Sequence, residues 1–289
     1  MSLSALFVAS ALIAQQGQGE SLGRMYYIGK EETPEAMIVM VRDKRLDSPK
    51  IDPKDKLEYE YVVTGYASSP PEAQGNHPIR FRVFSQQRKK VGDPAELACR
   101  LLLRLWKYNY ERLKLDHSRE YNGQIVDVYL SWGGQAGGEQ LFTEDTENGR
   151  LRPANVIYIY DIASFTDPVE MAREVCHEYG HASLPPVGGF VKPEDWGNGY
   201  LGEKLYMRWL RDDTKAGALQ PIDTTGASAK DLDAWCQKNA DPLLDRVLLN
   251  GPDFAALKGS GPLALDSYIG LNLYAQEVLG NPTFARSLK

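Results

Sequence analysis

His177 and His181 stand four positions apart with Glu178 beside the first, a spacing that dictates the local backbone. On a helix, residues i and i+4 lie one above the other, so both imidazoles can reach a single point. Glu178 is turned about 100° aside, flanking that point without joining the stripe. The chain has only four histidines, His77, His117, His177 and His181. A shuffled chain of this composition would carry the pattern roughly 0.3% of the time, so coincidence is a poor explanation.

The flanks predict where this helix begins and ends. Thr166-Asp167-Pro168 offers a capping oxygen followed by proline at the first helical position. Leu184-Pro185-Pro186 stops the helix, which therefore runs over about 168–183. Val169, Ala172, Val175, Cys176 and Tyr179 form an apolar stripe opposite the histidines, so the back of the helix is a core face.

Two imidazoles at this spacing, with a carboxylate next to them, suit a zinc ion and a general base. Zinc lowers the pKa of its water to about 7, and Glu178 is placed to take the proton as that water attacks a carbonyl. A third protein ligand is needed, with the fourth position left for water. No histidine follows His181, so the candidates are Glu194, Asp195, Glu203, more distant acids and Cys236.

Residues 198–212 predict an amphipathic helix capped by Asn198. On its wheel Lys204, Arg208, Arg211 and Asp212 fall on the wet side. Leu205, Tyr206, Met207, Trp209 and Leu210 fill the other arc, and Glu203 lies within it. A carboxylate on a buried face is costly unless paired or metal-bound, which favours Glu203 as third ligand. A buried salt bridge is the competing explanation. Gly199 and Gly202 would let this helix approach the first closely.

His177-Glu178-Tyr179-Gly180-His181 with a glutamate in a second helix resembles the gluzincins, the thermolysin-like branch of the zincin metallopeptidases. The resemblance rests on the pentapeptide and the Glu203 helix, and spans about residues 90–212. It implies one zinc ion on His177, His181 and Glu203, with Glu178 as base. It also implies a two-lobed catalytic domain whose cleft crosses the first helix. Metzincins fit badly, because no third histidine follows. Two departures stand out. The resemblance leads one to expect an aspartate four residues after the ligand glutamate, orienting a ligand histidine, where this chain has Met207; Asp161, Asp195 or Asp266 are the candidate substitutes. The downstream histidine that commonly stabilises the oxyanion is also missing, leaving Tyr268 or Tyr274 for that role. In zincins the strand before the metal helix is often a sheet edge that pairs with substrate backbone, which nominates residues 155–160. An ordinary internal strand is the alternative reading of that segment.

The remaining chain fits an α+β fold. Residues 93–115 have apolar positions at helical spacing, while Ile125–Trp132 and Asn155–Ile162 read as strands. Gly133–Glu139 lies between them as a flexible loop; without a following Gly-Lys-Ser/Thr it is not a phosphate loop. Before residue 88, Arg24–Lys30, Ala36–Arg42, Leu57–Gly65 and Ile79–Gln86 read as short strands. His77 falls in a turn between two of them. Helices are expected over about 228–249 and 263–279. The predicted layout is a β-rich amino-terminal module over 21–88. A zincin-like catalytic domain follows over 89–289, a helix-backed mixed sheet plus a helical carboxy-terminal lobe.

Composition bounds the partners. A net charge of −6 with pI ≈ 5.4 argues against nucleic acid or an anionic membrane as the main partner. Met1 to Ala14 is uncharged and apolar, the length of a signal-peptide core and too short to span a bilayer. Residues 1–20 are therefore expected to be a signal peptide and the mature chain a secreted protein with no integral membrane segment, although no lysine or arginine precedes the apolar run. Cys99, Cys176 and Cys236 permit at most one internal disulfide. Two functions follow as expectations. One is a secreted zinc metallopeptidase acting on peptides or proteins. The other is a catalytically impaired zincin relative that binds peptides or partner proteins.

Overall fold

The computed structural model describes residues 25–27, 37–42, 45–68, 77–115, 125–147, 149–191 and 194–288. The expected signal segment and His117 lie outside the described residues.

The described residues form a mixed α/β structure built on one seven-stranded sheet. Its strands are β1 (Met25–Tyr27), β2 (Met37–Arg42), β5 (Tyr61–Ser68), β6 (Ile79–Ser85), β7 (Val126–Leu130), β9 (Arg150–Tyr160) and β8 (Gly137–Glu147), in that spatial order. Strands β6, β7 and β9 run parallel, with Val83 opposite Val128 and Val128 opposite Ile157. The other pairings are antiparallel. Strands β3 (Lys50–Ile51) and β4 (Glu58–Tyr59) form a separate two-stranded ribbon. All five residues of β7 are buried, as expected of a parallel strand covered on both faces.

Two sequence expectations change here. Strands β2, β5 and β6 belong to the same sheet as β7 and β9, so pairing of β6 with β7 crosses the boundary expected near residue 88. The glycine-rich stretch is a loop only as far as Ala136; Gly137 opens the eleven-residue strand β8. Strand β8 is the outer edge, and residues 155–160 lie inside the sheet between β7 and β8. A polar run such as Glu139-Gln140 and Thr143-Glu144-Asp145 is what an exposed edge tolerates.

Helix α1 (Pro94–Tyr108) starts where Asp93 accepts a hydrogen bond from Ala95 N, and it ends in a wider turn over Asn109–Leu113. Its Leu101, Leu102, Leu105 and Trp106 are fully buried in a core shared with Met40, Val63, Phe81, Val83, Val128 and Ile157 from one face of the sheet. The other face carries a row of rings: Phe84 stacks on Tyr129 at 5.1 Å and Tyr129 on Tyr158 at 5.4 Å. Tyr59 of β4 packs over that row.

Helices α2 (Pro168–Ser183) and α3 (Gly197–Lys215) join the main core. The remaining helices, α4 (Ala229–Asn239), α5 (Asp241–Asn250), α6 (Pro262–Leu279) and α7 (Asn281–Ser287), complete the carboxy-terminal lobe. The single helix expected over 228–249 breaks at Ala240, because Pro242 lacks the N–H that would continue it. Among the described residues no helix is long and apolar enough to cross a membrane.

Candidate metal centre

Helix α2 has the bounds its sequence predicts, and its cap is Asp167, whose Oδ1 accepts from Val169 N at 2.9 Å. Val169, Ala172, Val175, Cys176 and Tyr179 are all buried, which turns His177 and His181 to the opposite side. Helix α3 begins one residue before its predicted start. Its cap is Trp196, with no side-chain hydrogen bond, and Asn198 sits inside the first turn, facing α2 instead of capping α3.

The two helices cross at van der Waals contact of their backbones. A Cβ on Gly202 would lie 2.5 Å from Gly180 Cα, and one on Gly199 would lie 2.1 Å from His181 Nε2. Only glycine permits that approach. The crossing brings the start of α3, and the loop before it, against both imidazoles.

His177 Nε2 and His181 Nε2 are 3.3 Å apart. Glu194, in the loop leading to α3, places Oε2 3.0 Å from His177 Nε2 and Oε1 2.5 Å from His181 Nε2. One ligand atom from each of these three residues lies within 4.8 Å of the others, so the group can hold a metal ion. Two imidazole nitrogens and a carboxylate oxygen make the donor set of a three-ligand site with a position left open. The electrostatics fit a cation as well. Burial would lower the His177 pKa, but its hydrogen bonds to Glu194 and Glu203 outweigh burial and raise it to about 10. Burial likewise opposes ionisation of Glu194, yet His177 and His181 hold its carboxyl down at about 2. Without an ion, a proton supplies the positive charge this pocket demands.

Glu203 is buried, as its place on the helix wheel predicts, but it lies behind the ligand. Its Oε2 is 3.0 Å from His177 Nδ1, on the ring edge opposite Glu194, with Arg173 Nη1 at 3.4 Å and Lys204 Nζ on its other oxygen. The third place in the cluster belongs to Glu194, and Glu203 orients the His177 ring. Burial of a carboxylate has two causes near a metal, ligation and support of a ligand, and the wheel cannot separate them. His181 has its own support: Nδ1 lies 3.1 Å from Asn198 Oδ1.

Glu178 is 3% exposed, and its Oε2 has no hydrogen-bond partner among the described residues. Strand β8 covers it. A Cβ on Gly138 would lie 2.7 Å from Glu178 Cγ and 2.8 Å from Glu174 Oε1, so the glycine run opens a strand that must pass close over the helix. Burial raises the Glu178 pKa to about 8; the charges of Glu174 and Glu194 push the same way, against His177.

None of the other nominated residues is hydrogen-bonded to an imidazole among the described residues. Asp161 occupies the turn after β9, Asp195 is exposed, and Asp266 is on α6; none bonds a ligand histidine among the described residues. Tyr268 packs against Phe190, rings 5.6 Å apart, and Tyr274 lies against the core. Cys236 is buried and free on α4, outside the cluster, and His77 Nδ1 meets Ser68 Oγ at 3.0 Å. Tyr200, which its three-residue offset from Glu203 places on the same face of α3, meets the His177 ring edge-on, with centroids 4.9 Å apart.

No protein-family model, curated protein or solved structure matches this chain.

Proposed function

We propose that the chain is a zinc-dependent peptidase. What carries this reading is the convergence of His177 Nε2, His181 Nε2 and the Glu194 carboxylate beside a buried Glu178 with an unpartnered oxygen. Zinc bound there would supply a Lewis acid that polarises a carbonyl and acidifies water.

The chain's residues have defined tasks in such a reaction. His177, His181 and Glu194 would hold the ion. Glu178 takes the proton of the attacking water and returns it to the leaving amine. Its raised pKa suits both transfers, since the base must give the proton back near neutral pH. Glu203 fixes the His177 ring from behind.

The free edge of β8 supports a peptide as substrate. It begins at Gly137, passes close over Glu178 at Gly138, and runs outward along the sheet margin, where extended backbone can add as a further strand. A cleft of about 280 Å³ lies at the start of that edge, lined by Ala136, Gly137, Phe165, Glu170, Arg173 and Glu174 among others. A hollow of about 480 Å³, lined by Phe142, Thr143, Glu144, Pro153 and Ala154, lies further along the strand.

Digestion of a broad peptide library, with and without chelator, tests the proposal. Glu178→Gln should keep one equivalent of zinc and lose turnover by about 10²–10⁴-fold. Wild-type turnover in that variant would sink the role of Glu178, and chelator-insensitive digestion would sink the role of the ion.

A further inference from the structure

We infer that Asn198 is the positioning residue of His181, and that it must be an amide because one side chain holds the ligand and closes the end of the helix carrying it. The inference rests on the metal-binding reading of the site and is independent of the reaction proposed above.

Asn198 is 3% exposed and lies four residues after Glu194 on the first turn of α3. Its Nδ2 points at the carboxy-terminal turn of α2, 3.4 Å from Gly180 O, 3.3 Å from His181 O and 3.3 Å from Leu184 O. Gly180 O already accepts from Leu184 N at 2.9 Å, but position 185 is proline, so His181 O has no donor four residues on and needs one from outside the helix. Three carbonyls accept only, so the nitrogen of the amide must face them, and its orientation is fixed without reference to the histidine.

The oxygen is thereby committed to His181. Oδ1 lies 3.1 Å from Nδ1, and an amide oxygen only accepts, so Nδ1 must carry the proton and donate. With Nδ1 protonated, Nε2, which faces Glu194 and His177, would offer its lone pair to a bound cation. A carboxylate at position 198 would still accept from Nδ1, but its second oxygen would face three carbonyls. The two imidazoles are thus backed differently. His177 has the carboxylate of Glu203, shared with Arg173 and Lys204, whereas His181 has a neutral amide tied to its own helix.

Zinc competition titrations, melting curves and proton NMR of the zinc-loaded protein test this in wild type, Asn198→Ala and Asn198→Asp. Wild type should show a slowly exchanging His181 Nδ1–H. In Asn198→Ala that signal should be lost to exchange and zinc affinity should fall about 10–100-fold, the range for removing a ligand's supporting partner. Asn198→Asp should keep the protected proton yet melt well below wild type, separating the accepting from the donating half of the amide. Asn198→Ala binding zinc within twofold of wild type, with the proton still protected, overturns the positioning role. Asn198→Asp melting with wild type overturns the need for an amide. A wild-type chain that takes up no ion removes the site and this role together.

Discussion

Glu203 and Glu194 grip opposite edges of one imidazole: Glu203 Oε2 is 3.0 Å from Nδ1 of His177, and Glu194 Oε2 is 3.0 Å from its Nε2. A ring held from both sides has one orientation. The two acids are therefore not equivalent, although both are negative and both lie within one short stretch of chain.

That inequality is measurable. Glu194→Ala removes a ligand and should abolish stoichiometric zinc binding at micromolar ion. Glu203→Gln leaves all three ligands and removes only the supporting charge, so affinity should fall about 10–100-fold without being lost. Competition with a chelating dye would rank the two variants, and the reverse ranking would return Glu203 to the ligand set.

The ion-free protein should show a distinctive response to pH. His177 is raised from 6.5 to about 10 and Glu178 from 4.5 to about 8. A raised folded pKa gives stability that is full below the unfolded value and lost as pH climbs through the folded one. In chelator, the melting temperature should therefore decline from about pH 5 to pH 10, while zinc affinity rises over the upper part of that range as His177 releases its proton. A chelated protein whose melting point is flat across this window would contradict the assigned contacts. Glu194, held at about 2, acts at the other end, and its contribution should disappear only in strong acid.

The helix crossing sets a third expectation. Gly202→Ala would place a methyl 2.5 Å from Gly180 Cα, which is backbone and cannot swing away. We expect about 1–3 kcal/mol of destabilisation by denaturant titration. Zinc should also bind more weakly, since separating the helices draws Asn198 and Glu203 back from their histidines.

Gly138→Ala probes the strand over Glu178. The added methyl would meet Glu178 Cγ and the Glu174 carboxylate, so β8 or Glu178 must shift. Turnover should fall much further than zinc affinity, because the atoms nearest the added methyl belong to Glu178 and Glu174 and not to His177, His181 or Glu194. Equal losses of both would point to a general loosening of the sheet edge.

Helix α2 was fully legible in the sequence because three independent signals agree: the Asp167-Pro168 start, the Pro185-Pro186 stop and a continuous apolar stripe. Helix α3 could be read from its wheel, and the burial of Glu203 with it. Glu194 was one candidate among several, since a loop residue has no periodicity to say where it points; only the crossing of the helices brings it to the imidazoles. Strand β8 was missed for a different reason. It is an edge that begins in glycines and continues in polar residues, so it lacks the alternation that betrays a half-buried strand. Its glycines record the nearness of Glu178, a fact about tertiary packing.

Cys99, Cys176 and Cys236 are all buried and free, so among the described residues no covalent bond ties one element to another. An ion held by α2 and the Glu194 loop would be the one cross-link, and a removable one. At a free zinc level a hundredfold above the dissociation constant, such a link would add about 2.7 kcal/mol to stability, and almost nothing when zinc is scarce. The lifetime of the chain would then follow the zinc supply of its surroundings, and starved of metal it would be the more open to proteolysis.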